Sequence, residues 1–162
     1  MAISIGDRLP DAVFTQFTGQ DVKTAETPDL LAGQTVAMFG LPGAFTRTCS
    51  AAHLPGFMDV AEQLKAKGVD RVICLSVNDP FVMHAWDLAT GASKAGVEMW
   101  VDADGSFTKA IGLDFDAPPM GFIGRSKRYS ALIEDGVVTI LNVEVKPGVC
   151  ELSSGEALLD QI

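Results

Sequence analysis

Cys49 stands in the run Leu41-Pro42-Gly43-Ala44-Phe45-Thr46-Arg47-Thr48-Cys49-Ser50-Ala51-Ala52-His53-Leu54-Pro55-Gly56-Phe57, between an apolar strand-like segment and a stretch with helical spacing. A thiol at such a junction sits at a helix start, where free backbone N–H groups and the positive end of the helix dipole favour an anion. A free thiol of pKa about 8.5 is only about 3% thiolate at pH 7, whereas one lowered to about 6 is about 90% ionised, and the thiolate is the nucleophile. Arg47, and any arginine the fold brings in, push the same way. A lone cysteine more often packs as a small hydrophobe. The helix-start placement and the Gly/Pro/Thr loop argue against that here.

The other candidates are weaker. Cys74, in Arg71-Val-Ile-Cys-Leu-Ser-Val-Asn78, reads as a buried mid-strand residue, while Cys150 follows Pro147-Gly148 in a loop and is freer to move. Three cysteines are too few for a disulfide scaffold, and an odd number leaves at least one thiol unbridged. The third residue after Cys49 is Ala52, so a vicinal dithiol is excluded. His53, four residues on, shares a helix face with Cys49, but no paired Cys or His motif completes a zinc site. It is expected to be hydrogen-bonded near the active-site loop, with no metal, and His84 is expected at the surface. The glycines around Gly124 form no phosphate loop or dinucleotide fingerprint, so no cofactor is expected.

The elements that must position these groups follow from apolar periodicity. Val13 to Phe17, Thr35 to Phe39 and Val72 to Val77 read as strands, the last two buried on both faces. Phe57 to Lys67 has helical spacing and is closed by Gly68, which makes a βαβ unit. Pro55 cannot bond the Ala51 carbonyl, so the helix carrying Cys49 is expected to kink soon after it begins. Asn78-Asp79-Pro80 caps a helix over Pro80 to Leu88. A short strand over Met99 to Asp102, a turn at Asp104-Gly105 and a short helix over Ser106 to Ile111 follow. Tyr129 to Glu134 and Val137 to Val143 form a hairpin through Asp135-Gly136, and Ser153 with Glu156 predicts a capping box for a last helix reaching Gln161.

A chain of 162 residues with 48% hydrophobic and 20% charged positions fits one globular domain over residues 1–162. The pattern describes an α/β fold, a central mixed sheet flanked by helices, for which the thioredoxin-like arrangement is the leading candidate. Twelve Lys plus Arg against 21 Asp plus Glu give 12 − 21 = −9, which disfavours nucleic acid and anionic membranes. The longest uncharged stretch, Leu30 to Thr46, is broken by Gly33, Gly40, Pro42 and Gly43 and cannot span a bilayer. The start Met1-Ala2-Ile3-Ser4-Ile5-Gly6-Asp7 lacks a basic then apolar segment, so a cytoplasmic location is expected.

The loop resembles the active-site signature of the peroxiredoxins, a Pro, three residues, Thr, two residues, then Cys, filled here by Pro42, Thr46 and Cys49. Gly-Leu-Pro-Gly-Ala-Phe-Thr, His-Leu-Pro-Gly-Phe, the run from Cys74 to Val82 and Lys127-Arg128-Tyr129-Ser130 are similar to the peroxiredoxin-5-like subfamily, type II in plants. Arg47 departs from it, standing where the subfamily usually has proline.

The resemblance implies a thiol peroxidase that reduces hydrogen peroxide and small alkyl hydroperoxides through a sulfenic acid on Cys49. Thr46 would hydrogen-bond the peroxide, Pro42 shape a small pocket, Phe45 and Thr48 line it, and Arg128 lower the thiol's pKa and orient the substrate. Arg125 is a weaker supporting candidate. Cys150 is the candidate resolving cysteine, with Cys74 a further possibility, and glutathione with glutaredoxin, or thioredoxin, the expected reductants. Phe81 and Trp86 suggest an apolar patch for a homodimer. The alternative is a redox-sensing binding or chaperone protein that uses the same cysteine.

Overall fold

The computed structural model describes residues 1–162. Its strands are β1 (Val13–Phe17), β2 (Val22–Glu26), β3 (Thr35–Leu41), β4 (Arg71–Ser76), β5 (Val97–Val101), β6 (Asp114–Ala117), β7 (Phe122–Ser126), β8 (Tyr129–Glu134) and β9 (Val137–Val143). Five helices intervene: α1 (Thr27–Leu31), α2 (Leu54–Ala66), α3 (Pro80–Thr90), α4 (Ser106–Ala110) and α5 (Gly155–Asp160). Seven strands make one mixed sheet in the order β2-β1-β5-β4-β3-β8-β9, and β6 and β7 pair apart from it. The expected thioredoxin-like α/β architecture is the one observed. No helix is long and apolar enough to cross a membrane.

The central strands are apolar throughout because both faces are covered. Ala37, Phe39, Leu41, Val72 and Cys74 face a core shared with α2, α3 and α5, while Val36, Met38, Ile73 and Leu75 face a second core with Leu30, Leu31 and Phe107. Alternation along each strand sends successive side chains to opposite cores. Phe39 stacks on Phe57 with ring centroids 4.0 Å apart, joining β3 to α2. Full burial of such a side chain is worth about 1.5–3 kcal/mol.

The hairpin β8–β9 has the bounds its alternation predicts. Asp135 and Gly136 both adopt positive φ, 48° and 77°, the geometry a two-residue turn needs to match strand twist. The Asp79 carboxylate accepts from the N–H groups of Phe81 and Val82, as the capping pattern requires. The last helix differs. Its N-cap is Ser154, whose hydroxyl accepts from the Ala157 N–H, while the Ser153 hydroxyl is committed to Glu144. Strands β2, β6 and β7 and helix α1 carry no clear signal, since only Ala25 of β2 is buried and the β6–β7 pair has mixed polar and apolar residues.

Candidate active site

The site is built where β3 ends. β3 runs antiparallel to β8 with Gly40 opposite Tyr129, so the residue before β8, Arg128, arrives beside the exit of β3 into Pro42. A Cβ on Gly40 would collide with the Tyr129 ring, so glycine here allows the two strands to pair with that ring between them. The loop then turns through Phe45, a bulky residue held at φ 62°, a strained backbone conformation.

Arg47 and Thr48 are already helical, which places Cys49 in the first helical turn, as the sequence predicts. The irregularity expected near Pro55 takes the form of a π turn over Cys49–His53, in which the Leu54 N–H bonds the Cys49 carbonyl. Pro55 then lies in the first turn of α2, where a missing N–H costs little. The wide turn presents both Cys49 and His53 to the interior, each with 0% exposure.

Arg128, 6% exposed, reaches both of them. Its Nη2 donates to Cys49 Sγ at 3.4 Å and its Nη1 lies 3.1 Å from His53 Nδ1. His53 Nε2 lies 2.9 Å from the Ser153 carbonyl oxygen. A carbonyl can only accept and a guanidinium can only donate, so the ring carries its proton on Nε2 and offers the Nδ1 lone pair to Arg128. Burial, reinforced by the Arg128 charge and opposed by the bond to Ser153, lowers the His53 pKa to about 3. The imidazole is therefore neutral across the physiological range, and with both nitrogens engaged it has nothing to offer a metal. Arg128 Nε is buried without a hydrogen-bond partner.

The other two thiols sense the same centre. Burial, with a contribution from Cys49 and against the pull of Arg128, pushes the Cys74 thiol well up. Cys150, half-buried, is pushed up by burial and by the charges of Glu144 and Cys49, while Arg128 and a bond with Ser153 draw it down. Cys150 thus lies within electrostatic reach of both Cys49 and Arg128.

The loop is fastened at almost every residue. Arg125 Nη1 donates to the Pro42 carbonyl at 3.0 Å, and Asn78 Oδ1 accepts from the Ala44 N–H at 2.9 Å. The Thr46 hydroxyl donates to the Gly43 carbonyl at 2.7 Å, and Trp86 Nε1 donates to Ser50 Oγ at 3.1 Å. Four expectations need correction. The Thr48 hydroxyl is given to the Gly148 carbonyl at 2.9 Å, tying the loop to the segment before Cys150 instead of lining a pocket. Phe45 is 57% exposed, a rim residue in the single chain and not a wall around the thiol. Trp86 is buried by core packing and belongs to no surface patch, although Phe81 beside it is exposed and leans on Phe17. His84 is half-buried, edge-on to the Phe17 ring, not at the open surface.

The sequence profile of the family described as Redoxin matches residues 4–159. The chain belongs to the redoxin family and is a peroxiredoxin. It is 45% identical over 161 residues to peroxiredoxin-2E-2, chloroplastic, of Oryza sativa subsp. japonica, covering 97% of this chain and 71% of that one. It is 44% identical over 158 residues to peroxiredoxin-2B of Arabidopsis thaliana, covering 97% and 96%. Among solved structures it resembles reduced Prx3 in complex with H2O2 from Vibrio vulnificus, with a TM-score of 0.91, 47% identity and coverage of 98% and 95%. A peroxiredoxin is a thiol-dependent peroxidase.

Sequence reasoning placed His53 near the loop without seeing that it seats Arg128, and saw Asn78 only as part of a cap. Glu144 and Ser153 were missed as members of the site. Their contacts are between distant segments, and no local spacing signals them.

Proposed function

We propose that Cys49 is the peroxidatic residue of this peroxiredoxin and that Arg128, Thr46 and Pro42 complete its site. The observation that carries the reading is the hydrogen bond from Arg128 Nη2 to Cys49 Sγ, inside a core that excludes water. A thiolate accepts that bond better than a thiol. The sulfur attacks one peroxide oxygen and the O–O bond breaks. The departing oxygen takes the electron pair and a proton, and water or an alcohol leaves while Cys49 becomes a sulfenic acid. The charge growing on the leaving oxygen is met by guanidinium donors already in place, among them the unpartnered Nε–H. The proton of the Thr46 hydroxyl is engaged by Gly43, which leaves Oγ1 as an acceptor for the peroxide O–H. A fully buried sulfur favours small substrates, hydrogen peroxide and small alkyl hydroperoxides.

Return to the thiol requires two reducing equivalents. Attack of Cys150 on the sulfenic sulfur would form a disulfide and release water, and thiol exchange with glutathione and glutaredoxin, or with thioredoxin, would restore both cysteines. The half-buried position of Cys150 near Cys49 and Arg128 supports this route, whereas Cys74 is locked in mid-sheet between Phe39 and Met99. Exposed Phe81 and Phe45 support a homodimer, and we read residues 1–162 as one domain that acts in the cytoplasm.

The test is turnover followed by mass spectrometry. Catalytic consumption of peroxide with a thiol reductant, abolished in Cys49→Ser, is the expected result. One equivalent of peroxide is expected to leave a Cys49–Cys150 bridge. Stoichiometric oxidation without turnover would overturn the peroxidase role of this site, and an unbridged sulfenic acid or a glutathione adduct would overturn the resolving role of Cys150.

A further inference from the structure

Glu144 follows β9 directly, and its backbone N–H donates to the Arg128 carbonyl at 3.0 Å, so the two residues are cross-strand neighbours. Its side chain turns to the segment that precedes α5. A single oxygen, Oε1, accepts from the Glu151 N–H at 2.7 Å, the Ser153 N–H at 2.9 Å and the Ser153 hydroxyl at 2.9 Å. That segment belongs to no strand or regular helix, so no ladder of backbone bonds fixes its place. Ser153 is nevertheless fully buried, and its carbonyl is the acceptor for His53 Nε2.

We propose that Glu144 is a positioning residue of the peroxidase reaction, acting through Ser153 and His53 to hold the Arg128 guanidinium on Cys49. The inference rests on the assignment of Cys49 and Arg128 above. Its physical basis is the tautomer of a neutral imidazole. With the Ser153 carbonyl in place, Nε2 keeps the proton and Nδ1 accepts from Arg128 Nη1. If the carbonyl withdraws, the proton is free to move to Nδ1, where a ring N–H meets a guanidinium N–H, donor against donor. Arg128 then loses one of its two seats and the bond to Cys49 its alignment. The device needs an acceptor and not a charge, because all three bonds converge on Oε1. The same carboxylate holds the residue after Cys150, so the segment that must yield for Cys150 to reach Cys49 is also the one that seats the guanidinium.

Glu144→Met keeps the length of the side chain and removes the oxygen, and Glu144→Gln keeps an oxygen and removes the charge. The second-order rate constant for hydrogen peroxide is expected to fall about tenfold or more in Glu144→Met, in line with the cost of a misaligned catalytic group. It is expected to stay within about threefold of the parent in Glu144→Gln, since that variant keeps the acceptor. Nitrogen NMR of the His53 ring is expected to show the Nε2-protonated form in the parent and Glu144→Gln, and its loss in Glu144→Met. A parent-like rate in Glu144→Met, a slow Glu144→Gln, or a slow Glu144→Met with the His53 tautomer unchanged would each overturn the inference. Glu144→Gln alone keeps it open to refutation should the methionine variant fail to fold. Arg128→Met separates the two levels. If its rate is unaffected the underlying assignment fails, whereas a slow Arg128→Met beside a fast Glu144→Met defeats only the role of Glu144.

Discussion

The guanidinium of Arg128 bridges Cys49 and His53, with one terminal nitrogen 3.4 Å from the sulfur and the other 3.1 Å from an imidazole lone pair. The planar fork makes the two contacts interdependent, since rotating the group to improve one worsens the other. A neutral, buried imidazole thereby sets the angle at which positive charge meets the Cys49 sulfur.

A lysine at 128 carries the same charge on a single nitrogen and lacks the planar fork whose two ends meet Cys49 and His53. Arg128→Lys is therefore expected to behave as a loss and not as a conservative change. The peroxide rate constant should fall about 10²–10³-fold, the usual effect of removing one transition-state donor. Stopped-flow measurement of hydrogen peroxide reduction checks it, and a loss below fivefold would show that charge alone suffices.

The low His53 pKa makes stability depend on pH. Between about pH 3 and 6.5 the unfolded chain binds a proton on this ring that the native protein does not. Stability therefore rises with pH through that window and is lost as the solution is acidified, by about 1.4 kcal/mol per pH unit for one proton. Urea unfolding of the parent and of His53→Gln between pH 6 and pH 4 should show a shallower slope in the variant. Parallel slopes would mean that the native ring takes up its proton in the ordinary range.

Much of this site was legible before the fold was known. Cys49 was read from its place between a strand and a helix, which puts a thiol at a helix start, and Thr46 came from the resemblance to the family signature. Arg128 was reached only through the family resemblance at Lys127-Arg128-Tyr129-Ser130, and its place beside Cys49 follows from the Gly40–Tyr129 register. What stayed hidden is what depends on packing between remote segments. The bond from Thr48 to Gly148 spans 100 residues of chain, and so does that from His53 to Ser153. Ser153 was misread for a related reason. Two adjacent serines compete for one cap, and only the position of Glu144 decides which is free to fill it.

The Thr46 hydroxyl fastens the loop by donating to the Gly43 carbonyl, and in the proposed site the same oxygen accepts from the peroxide. In Thr46→Ser the hydroxyl can still donate to the Gly43 carbonyl while its lone pairs accept, so peroxide reduction should stay within about threefold of the parent. Thr46→Val keeps the shape and removes both bonds, and a loss of about 10²-fold is expected. Equal rates for the two variants would assign the residue a packing role only.

Gly40 lets β3 and β8 meet over the Tyr129 ring. Gly40→Ala puts a methyl group into that ring, and the strands must separate or the ring must move within a filled core. A cost of about 1–3 kcal/mol is expected from overpacking, with peroxidase activity falling as well because Arg128 is the residue next to the displaced ring. Denaturant unfolding and the peroxide rate measured on the same variant check both. Loss of stability with full activity would show that the Arg128 seat is independent of the register.

The correction at Thr48 separates the oxidation step from the resolving step. Its hydroxyl holds Gly148, two residues before Cys150, and the proposed resolving step requires that bond to break for the segment to move toward Cys49. A hydrogen bond contributes about 0.5–1.5 kcal/mol net, so Thr48→Val should raise the population of the opened segment about two- to tenfold. Formation of the Cys49–Cys150 disulfide, followed by quenching with an alkylating reagent after one equivalent of peroxide, should accelerate by that factor. The rate of the first oxidation should change by less than twofold, because the hydroxyl is committed to the Gly148 carbonyl. A slowed first step would return Thr48 to the substrate pocket, and unchanged bridging would mean that opening is limited elsewhere, with the Glu144 contacts to Glu151 and Ser153 the next bonds to release.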